Sequence, residues 1–236
     1  MSATPQRGHR TGAAPATVLM LLTIFGPISM DLYLPVLPAL TTELGAATST
    51  AQLTITACLL GLASGQIAAG PLSDRFGRRT PLLVGIVAYI ATSLLCAISP
   101  SIEFFIAARF VQGLAGAVGI VITQAAGRDI FTGPALIRYY GRLTVLGGLA
   151  AIIGPVVGGQ LARVTDWRGL FLFLAAIGVV LLAAVLVGLG GAGTVLPLGI
   201  VTVTAITLAV IAHRTLLTTE NQHALPEPET QLTPVA

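Results

Sequence analysis

Residues 169–189 hold no charged side chain and no side chain able to hydrogen-bond. They are one of seven apolar runs, at about 17–40, 51–70, 81–99, 102–124, 143–162, 169–189 and 195–212. Crossing the hydrocarbon core as a helix takes about 20 predominantly apolar residues, so each run is a candidate span. The last is the shortest and is rich in Thr. Only 9% of residues are charged, against 55% hydrophobic, whereas a soluble domain carries about 25% charge. A chain this poor in charge cannot cover a water-facing surface, and its solvent is mostly lipid. The expected fold is an all-α polytopic membrane protein.

Charge placement sets an expected orientation. Every one of the 12 basic residues is Arg. Arg7 and Arg10 precede the first span, Arg75, Arg78 and Arg79 lie between the second and third, and Arg128, Arg138 and Arg142 lie between the fourth and fifth. By parity these segments share one side. The other side holds Glu43, Glu103, Arg163, Asp166 and Arg168. The positive-inside rule then makes the N-terminus cytoplasmic. The apolar run behind Arg7 and Arg10 is too long for a cleaved signal and contains Asp31 and three prolines, so it reads as a span. The expected divisions are a disordered N-terminus at 1–14, a helical bundle at 15–190, an additional hydrophobic helix at 195–212, and a disordered Thr-, Glu- and Pro-rich tail at 213–236.

Several function classes are disfavoured. The Arg clusters sit in loops and form no nucleic-acid stripe. His9, His213 and His223 lie toward the termini, and no HExxH, Cys/His metal spacing, nucleotide loop or paired intramembrane carboxylates occur. No enzyme activity, cofactor or metal is expected. Cys58 and Cys96 read as buried, inert thiols.

Two charges lie within spans. Asp31 is about 21 Å along the first span from its basic end, and Arg109 about 10 Å along the fourth from the other end. In a core about 30 Å thick they reach similar depths. A charge there costs several kcal/mol unless paired or hydrated. The expectation is that Asp31 and Arg109 face one interior cavity and interact, with Asp31 as the proton-binding carboxyl. A structural ion pair, or an Arg109 that snorkels outward, is the competing reading. Gln112 lies one turn beyond Arg109 on the same face. Gln112 and Tyr33 are weaker candidates for lining the cavity. Pro27, Pro35 and Pro38 each remove a backbone donor, so the first span is expected to bend. The glycines scattered through the spans are expected mostly to serve close packing.

The segment Gly70-Pro71-Leu72-Ser73-Asp74-Arg75-Phe76-Gly77-Arg78-Arg79 reads as a loop between the second and third spans, in which Gly77 permits a tight reversal. Asp74 and Arg78 share a face if the segment is helical, and Asp129 is a second possible partner for Arg78. The fifth span carries Gly154-Pro155-Val156-Val157-Gly158-Gly159, a bendable, close-packing run.

These segments resemble the major facilitator superfamily. Residues 70–79 are similar to its motif between helices 2 and 3. Arg109-Phe110-Val111-Gln112-Gly113 resembles the helix 4 motif whose Arg is implicated in proton coupling, and Gly154-Pro155 with Gly158-Gly159 resembles the helix 5 antiporter motif, with Ala150 in place of the leading Gly. Asp31-Leu32-Tyr33-Leu34-Pro35 with Pro38, and Arg128-Asp129, look most like the bicyclomycin and chloramphenicol resistance branch of drug:proton antiporters. The resemblance covers residues 15 to about 189. It implies a six-helix N-terminal bundle of two inverted three-helix repeats; the apolar run at 195–212 adds a seventh hydrophobic helix to that expectation. It also implies proton-coupled efflux of drugs across a bacterial inner membrane. The implied gating motif comprises Gly70, Asp74, Arg75, Gly77, Arg78, Arg79 and Asp129; its loop is expected to lock the inward-closed interface, with Asp74 facing a partner bundle and Arg78 facing Asp129. The resemblance to the first bundle stops near residue 189, no second bundle is expected within residues 190–236, and residues 195–236 resemble the last helix and tail of such a transporter. Two readings stand: a missing bundle supplied by a second copy or another chain, or an internally deleted transporter without activity of its own that acts as a membrane interaction partner.

Overall fold

The structure, a computed structural model, describes residues 22–23 and 26–189. Expectations for 1–14, for 195–212 and for the tail fall outside the described residues. The described chain is helical: α1 (26–31), a 3-10 turn at Leu34–Val36, α2 (Leu37–Glu43), α3 (Thr48–Phe76), α4 (Arg79–Ala97), α5 (Ile102–Ile130), α6 (Pro134–Leu161) and α7 (Trp167–Leu189). Five of these, α3 to α7, are long and apolar enough to cross a membrane.

The helix ends follow local chemistry. Ser101 caps α5 by accepting from the Phe104 N–H at 3.3 Å. Asp166 caps α7 by accepting from the Gly169 N–H at 2.8 Å. Gly77 (φ 74°) and Gly133 (φ 56°) take the left-handed conformations that turn the chain between α3 and α4 and into α6.

Three expected boundaries are corrected. The segment from Gly70 to Phe76 is not a loop: α3 continues through Pro71 to Phe76, leaving only Gly77 and Arg78 between α3 and α4. A helix of 29 residues is about 43 Å long, longer than a hydrocarbon core of about 30 Å, so α3 has length to spare for an end outside the core, where a donor lost at Pro71 costs little. α6 begins at Pro134, so Arg138 and Arg142 are helical and not in a loop. The first span is also not one bent helix. It breaks into α1, a turn at Leu32–Tyr33, the 3-10 turn and α2.

α5 is the spine of the bundle, with α3 and α4 packed along it and α7 packed on α4, close enough to α5 for their aromatic side chains to meet. The α3–α5 crossing is set by two glycines. A Cβ on Gly61 would stand 2.0 Å from the Phe110 carbonyl oxygen, and one on Gly113 would stand 2.1 Å from that of Cys58. In lipid, where apolar burial no longer separates a helix surface from its solvent, such backbone contact is what holds helices together. Not every glycine packs this way: a Cβ on Gly147, Gly148 or Gly159 would meet nothing within 4 Å among the described residues.

Gly113→Ala is therefore expected to lower the thermal unfolding midpoint in mild detergent, by the equivalent of about 1–3 kcal/mol for overpacking. Gly148→Ala should leave the midpoint unchanged or raise it slightly, because α6 gains helix propensity without a clash.

Candidate functional site

The site is built around the break in the first span. Pro35 and Pro38 begin the 3-10 turn and α2, where a missing backbone donor is tolerated. Thr41 and Thr42 both donate their hydroxyls to the Pro38 carbonyl, at 2.6 and 3.0 Å. Backbone freed by a break at membrane depth must be met from within the protein, and two groups grip this one from opposite sides.

On one side is Arg109 of α5, which has no solvent exposure. Its Nη1 donates to Gln112 Oε1 at 2.6 Å and makes a long contact, 3.5 Å, with the Ser29 carbonyl. Ser29 lies in the last turn of α1, where helix carbonyls carry partial negative charge. The guanidinium lies 4.3 Å from the Tyr33 ring centroid and 5.6 Å from that of Phe171. Its Nε and Nη2 have no hydrogen-bond partner among the described residues, and attraction to the two ring faces stands in for those bonds.

A small polar network holds this arrangement in place. Gln112 Nε2 donates to Ser93 Oγ at 2.7 Å, and Ser93 donates to the Tyr89 carbonyl at 2.8 Å. The Tyr89 hydroxyl and Ser29 Oγ are hydrogen-bonded, as are those of Tyr33 and Thr54 at 3.0 Å. Ser29, Thr54, Tyr89 and Ser93 were not expected as site residues. Their only signal in the sequence is a polar atom inside an apolar run.

On the other side are the glycines of α6. A Cβ on Gly154 would lie 2.9 Å from the Asp31 Cβ, and one on Gly158 would lie 1.8 Å from the Leu32 carbonyl oxygen. Gly154 and Gly158 thus form the seat for the break. Pro155 sits inside α6 between them, and Gly159 points away.

The expected Asp31–Arg109 pair is not formed. The ion pairs among the described residues are Arg78–Asp129 and Arg168–Glu43. Asp31 follows Ser29 by two residues, about 200° around a helix. With Ser29 turned to Arg109, Asp31 must face α6. It is partly exposed. Nor do the two charges share a roomy cavity. Tyr33 and Gln112 are buried at 0% and 1% exposure. The hollow beside Gln112, lined also by Ser29, Met30, Cys58 and Tyr89, is about 10 Å³, space for about one water.

At the basic end, Arg78 meets Asp129 at 2.6 Å, tying the α3–α4 turn to the end of α5. Arg78 does not pair with Asp74. Asp74, Arg75 and Arg79 are exposed, with Arg75 stacked 5.4 Å from the Phe76 ring centroid, and Gly70 has open space beside it. At the opposite, distal end the structure brings together three residues that sequence reasoning did not connect: Glu43, Trp167 and Arg168.

Five apolar spans around a buried polar network define a polytopic α-helical membrane protein. A family model described as Major Facilitator Superfamily matches residues 19–200. Three relatives show the same partial coverage. The MFS-type transporter YdgK of Bacillus subtilis is 41% identical over 170 residues, covering 71% of this chain and 42% of its own length. A chloramphenicol resistance protein of Pseudomonas aeruginosa is 38% identical over 162 residues, covering 67% and 39%. A bicyclomycin resistance protein homolog of Haemophilus influenzae is 33% identical over 169 residues, covering 72% and 42%. The chain belongs to the major facilitator superfamily, and the aligned region spans about two fifths of the length of these curated relatives.

Because Asp31 has no cationic partner among the described residues, Asp31→Asn is expected to change stability by less than about 0.5 kcal/mol. Breaking a buried ion pair would cost about 3–5 kcal/mol. Arg109→Lys removes the planar fork and the ring stacking, and is expected to cost about 1.5–3 kcal/mol. Thermal unfolding in detergent separates the two.

Proposed function

We propose that this chain supplies one bundle of a proton-coupled exporter of small hydrophobic, drug-like compounds, residing in a bacterial inner membrane with its basic end cytoplasmic. The observation that carries this reading is Asp31: a partly exposed carboxyl at a break in a membrane span, without a cationic partner among the described residues. Such a group can take up a proton when the site opens to one side and release it when the site opens to the other. Arg109 and Gln112 serve the step indirectly, by fixing the break from which Asp31 projects. Tyr33 works with them as a ring against the guanidinium.

Antiport is the favoured direction. Gly154, Pro155 and Gly158 allow α6 to lie against the break, so a shift of α6 reaches Asp31 through direct contact. The exposed Asp74 and the Arg78–Asp129 pair suit a docking point at the cytoplasmic end for a second bundle, supplied by a further polypeptide segment or by a second copy of this chain. The relatives named for chloramphenicol and bicyclomycin resistance favour drug-like cargo. The lipid bilayer and protons complete the set of partners.

The test is drug accumulation in inside-out vesicles that contain the chain and carry an imposed proton gradient, acid inside. Accumulation should collapse when the gradient is dissipated and should fall at least about tenfold in Asp31→Asn. Accumulation that persists in Asp31→Asn, or that is absent in every oligomeric form of the wild-type chain, would overturn the proposal.

A further inference from the structure

The distal end of the bundle carries a cluster with no counterpart in the site described so far. Glu43 is the last residue of α2. A carboxylate at a helix C-terminus is opposed by the helix dipole, so it calls for an external partner. Arg168 supplies one: its Nη2 lies 3.0 Å and its Nε 3.3 Å from Glu43 Oε1. The other carboxylate oxygen accepts from the Trp167 indole N–H at 2.6 Å. The remaining Arg168 nitrogen, Nη1, donates to the carbonyls of Ala97 at 2.8 Å and Ser99 at 3.2 Å, at the C-terminal end of α4. The guanidinium also stacks 4.3 Å from the Trp167 ring centroid. One Arg thus joins the ends of α2 and α4 to the start of α7.

From this cluster a column of rings runs inward. Trp167 meets Phe105 edge to face at 5.7 Å, Phe105 meets Phe171 at 5.2 Å, and Phe171 meets Tyr33 at 5.9 Å. Tyr33 is the residue at the break, and its ring covers Arg109. Trp167, Phe105, Phe171 and Tyr33 are all at most 1% exposed. A close-packed interior transmits displacement because its side chains have no void to move into.

We infer that Glu43, Trp167 and Arg168 form a positioning clamp for the first span. The clamp pins α2 at its distal end, and the ring column pins Tyr33 at its inner end. The stretch from Tyr33 to Glu43 is therefore held at both ends. Movement of the first span is left to α1, pivoting at Leu32–Tyr33, one residue beyond Asp31. The clamp thereby sets how far Asp31 is exposed, although it touches neither Asp31 nor Arg109. This inference deepens the proposed transport reading and rests on it for its functional meaning, but its structural content is measurable without any transport.

The experiment measures water access at position 31. In a background carrying Cys58→Ala and Cys96→Ala, Asp31→Cys is reacted with a small water-soluble thiol reagent in proteoliposomes of the full chain. Glu43→Gln and Arg168→Gln are added singly and together. Hydrogen exchange across α3 and α5 serves as the fold control. Each single change should alter the reaction rate about three- to tenfold, the range open to a partly exposed charge pair reinforced by hydrogen bonds. The double change should do little more than either alone, and exchange in α3 and α5 should stay at wild-type levels. Arg168→Lys, which keeps the charge but cannot hold Glu43 and the α4 carbonyls together, should recover only part of the effect. An unchanged rate at position 31 in both single variants overturns the clamp. So does a changed rate accompanied by faster exchange throughout α3 and α5, which marks general loosening. The transport reading fails separately, on absent gradient-driven flux in a chain whose clamp variants still change the rate.

Discussion

A guanidinium at membrane depth must have its charge and its hydrogen bonds met inside the protein. At Arg109 that demand organises much of the bundle. Among the described residues it meets no carboxylate. Gln112, the Ser29 carbonyl and the faces of Tyr33 and Phe171 share the work. Those partners come from α5 itself, α1, the break and α7, so satisfying one side chain draws four segments together. Gln112 extends the network to Ser93 on α4. The Ser29–Tyr89 hydrogen bond returns it to α1. Removing any member leaves a buried polar group unmet, which costs more in lipid-surrounded protein than the bond itself contributes.

The break in the first span is the other half of the same arrangement. A Pro-rich helix in lipid cannot simply fray, because its open backbone groups have no water. Here Arg109 reaches the carbonyl end of α1 on one face while α6 presses Gly154 and Gly158 against Asp31 and Leu32 on the opposite face. The close approach of α6 depends most on Gly158, where an added Cβ would meet the Leu32 carbonyl oxygen, and less on Gly154, where it would meet the Asp31 Cβ. Asp31 emerges at the seam between α1 and α6, the place where a small relative movement of two helices changes access to a carboxyl most directly.

Much of this was legible in the sequence. Spans two to six were visible from their length and apolarity, and the basic segments marked one end of the bundle. Asp129 was among the possible partners for Arg78, and the two meet. Gln112 was placed on the Arg109 face, and it bonds there. The Asp31–Arg109 pair was misread because depth along a helix was matched without direction around it. Ser29, two residues earlier, owns the Arg109 face, and both residues cannot. Gly and Pro mark breaks in soluble helices, so the run from Gly70 to Phe76 reads as a loop in the sequence although it is helical. The end of a long span is a place where a missing donor costs little. The distal clamp was invisible for a different reason: Glu43 and Arg168 are 125 residues apart in the chain, and each alone looks like an ordinary loop charge. The ring column is equally unmarked, since aromatic residues in apolar runs carry no signal of which neighbours they meet.

The claim that Asp31 faces α6 and turns away from Arg109 is tested most directly by cross-linking. In a background with Cys58→Ala and Cys96→Ala, Asp31→Cys is combined with either Gly154→Cys or Arg109→Cys, and disulfide formation is driven by a mild oxidant in the membrane. A disulfide needs Cβ atoms about 3.5–4.5 Å apart; a Cβ built on Gly154 lies 2.9 Å from the Asp31 Cβ, so an outward shift of α6 by about 1 Å brings the pair to bonding distance. The account predicts rapid cross-linking of positions 31 and 154 and none between 31 and 109. Efficient cross-linking between 31 and 109, with 31 and 154 unreactive, would contradict it.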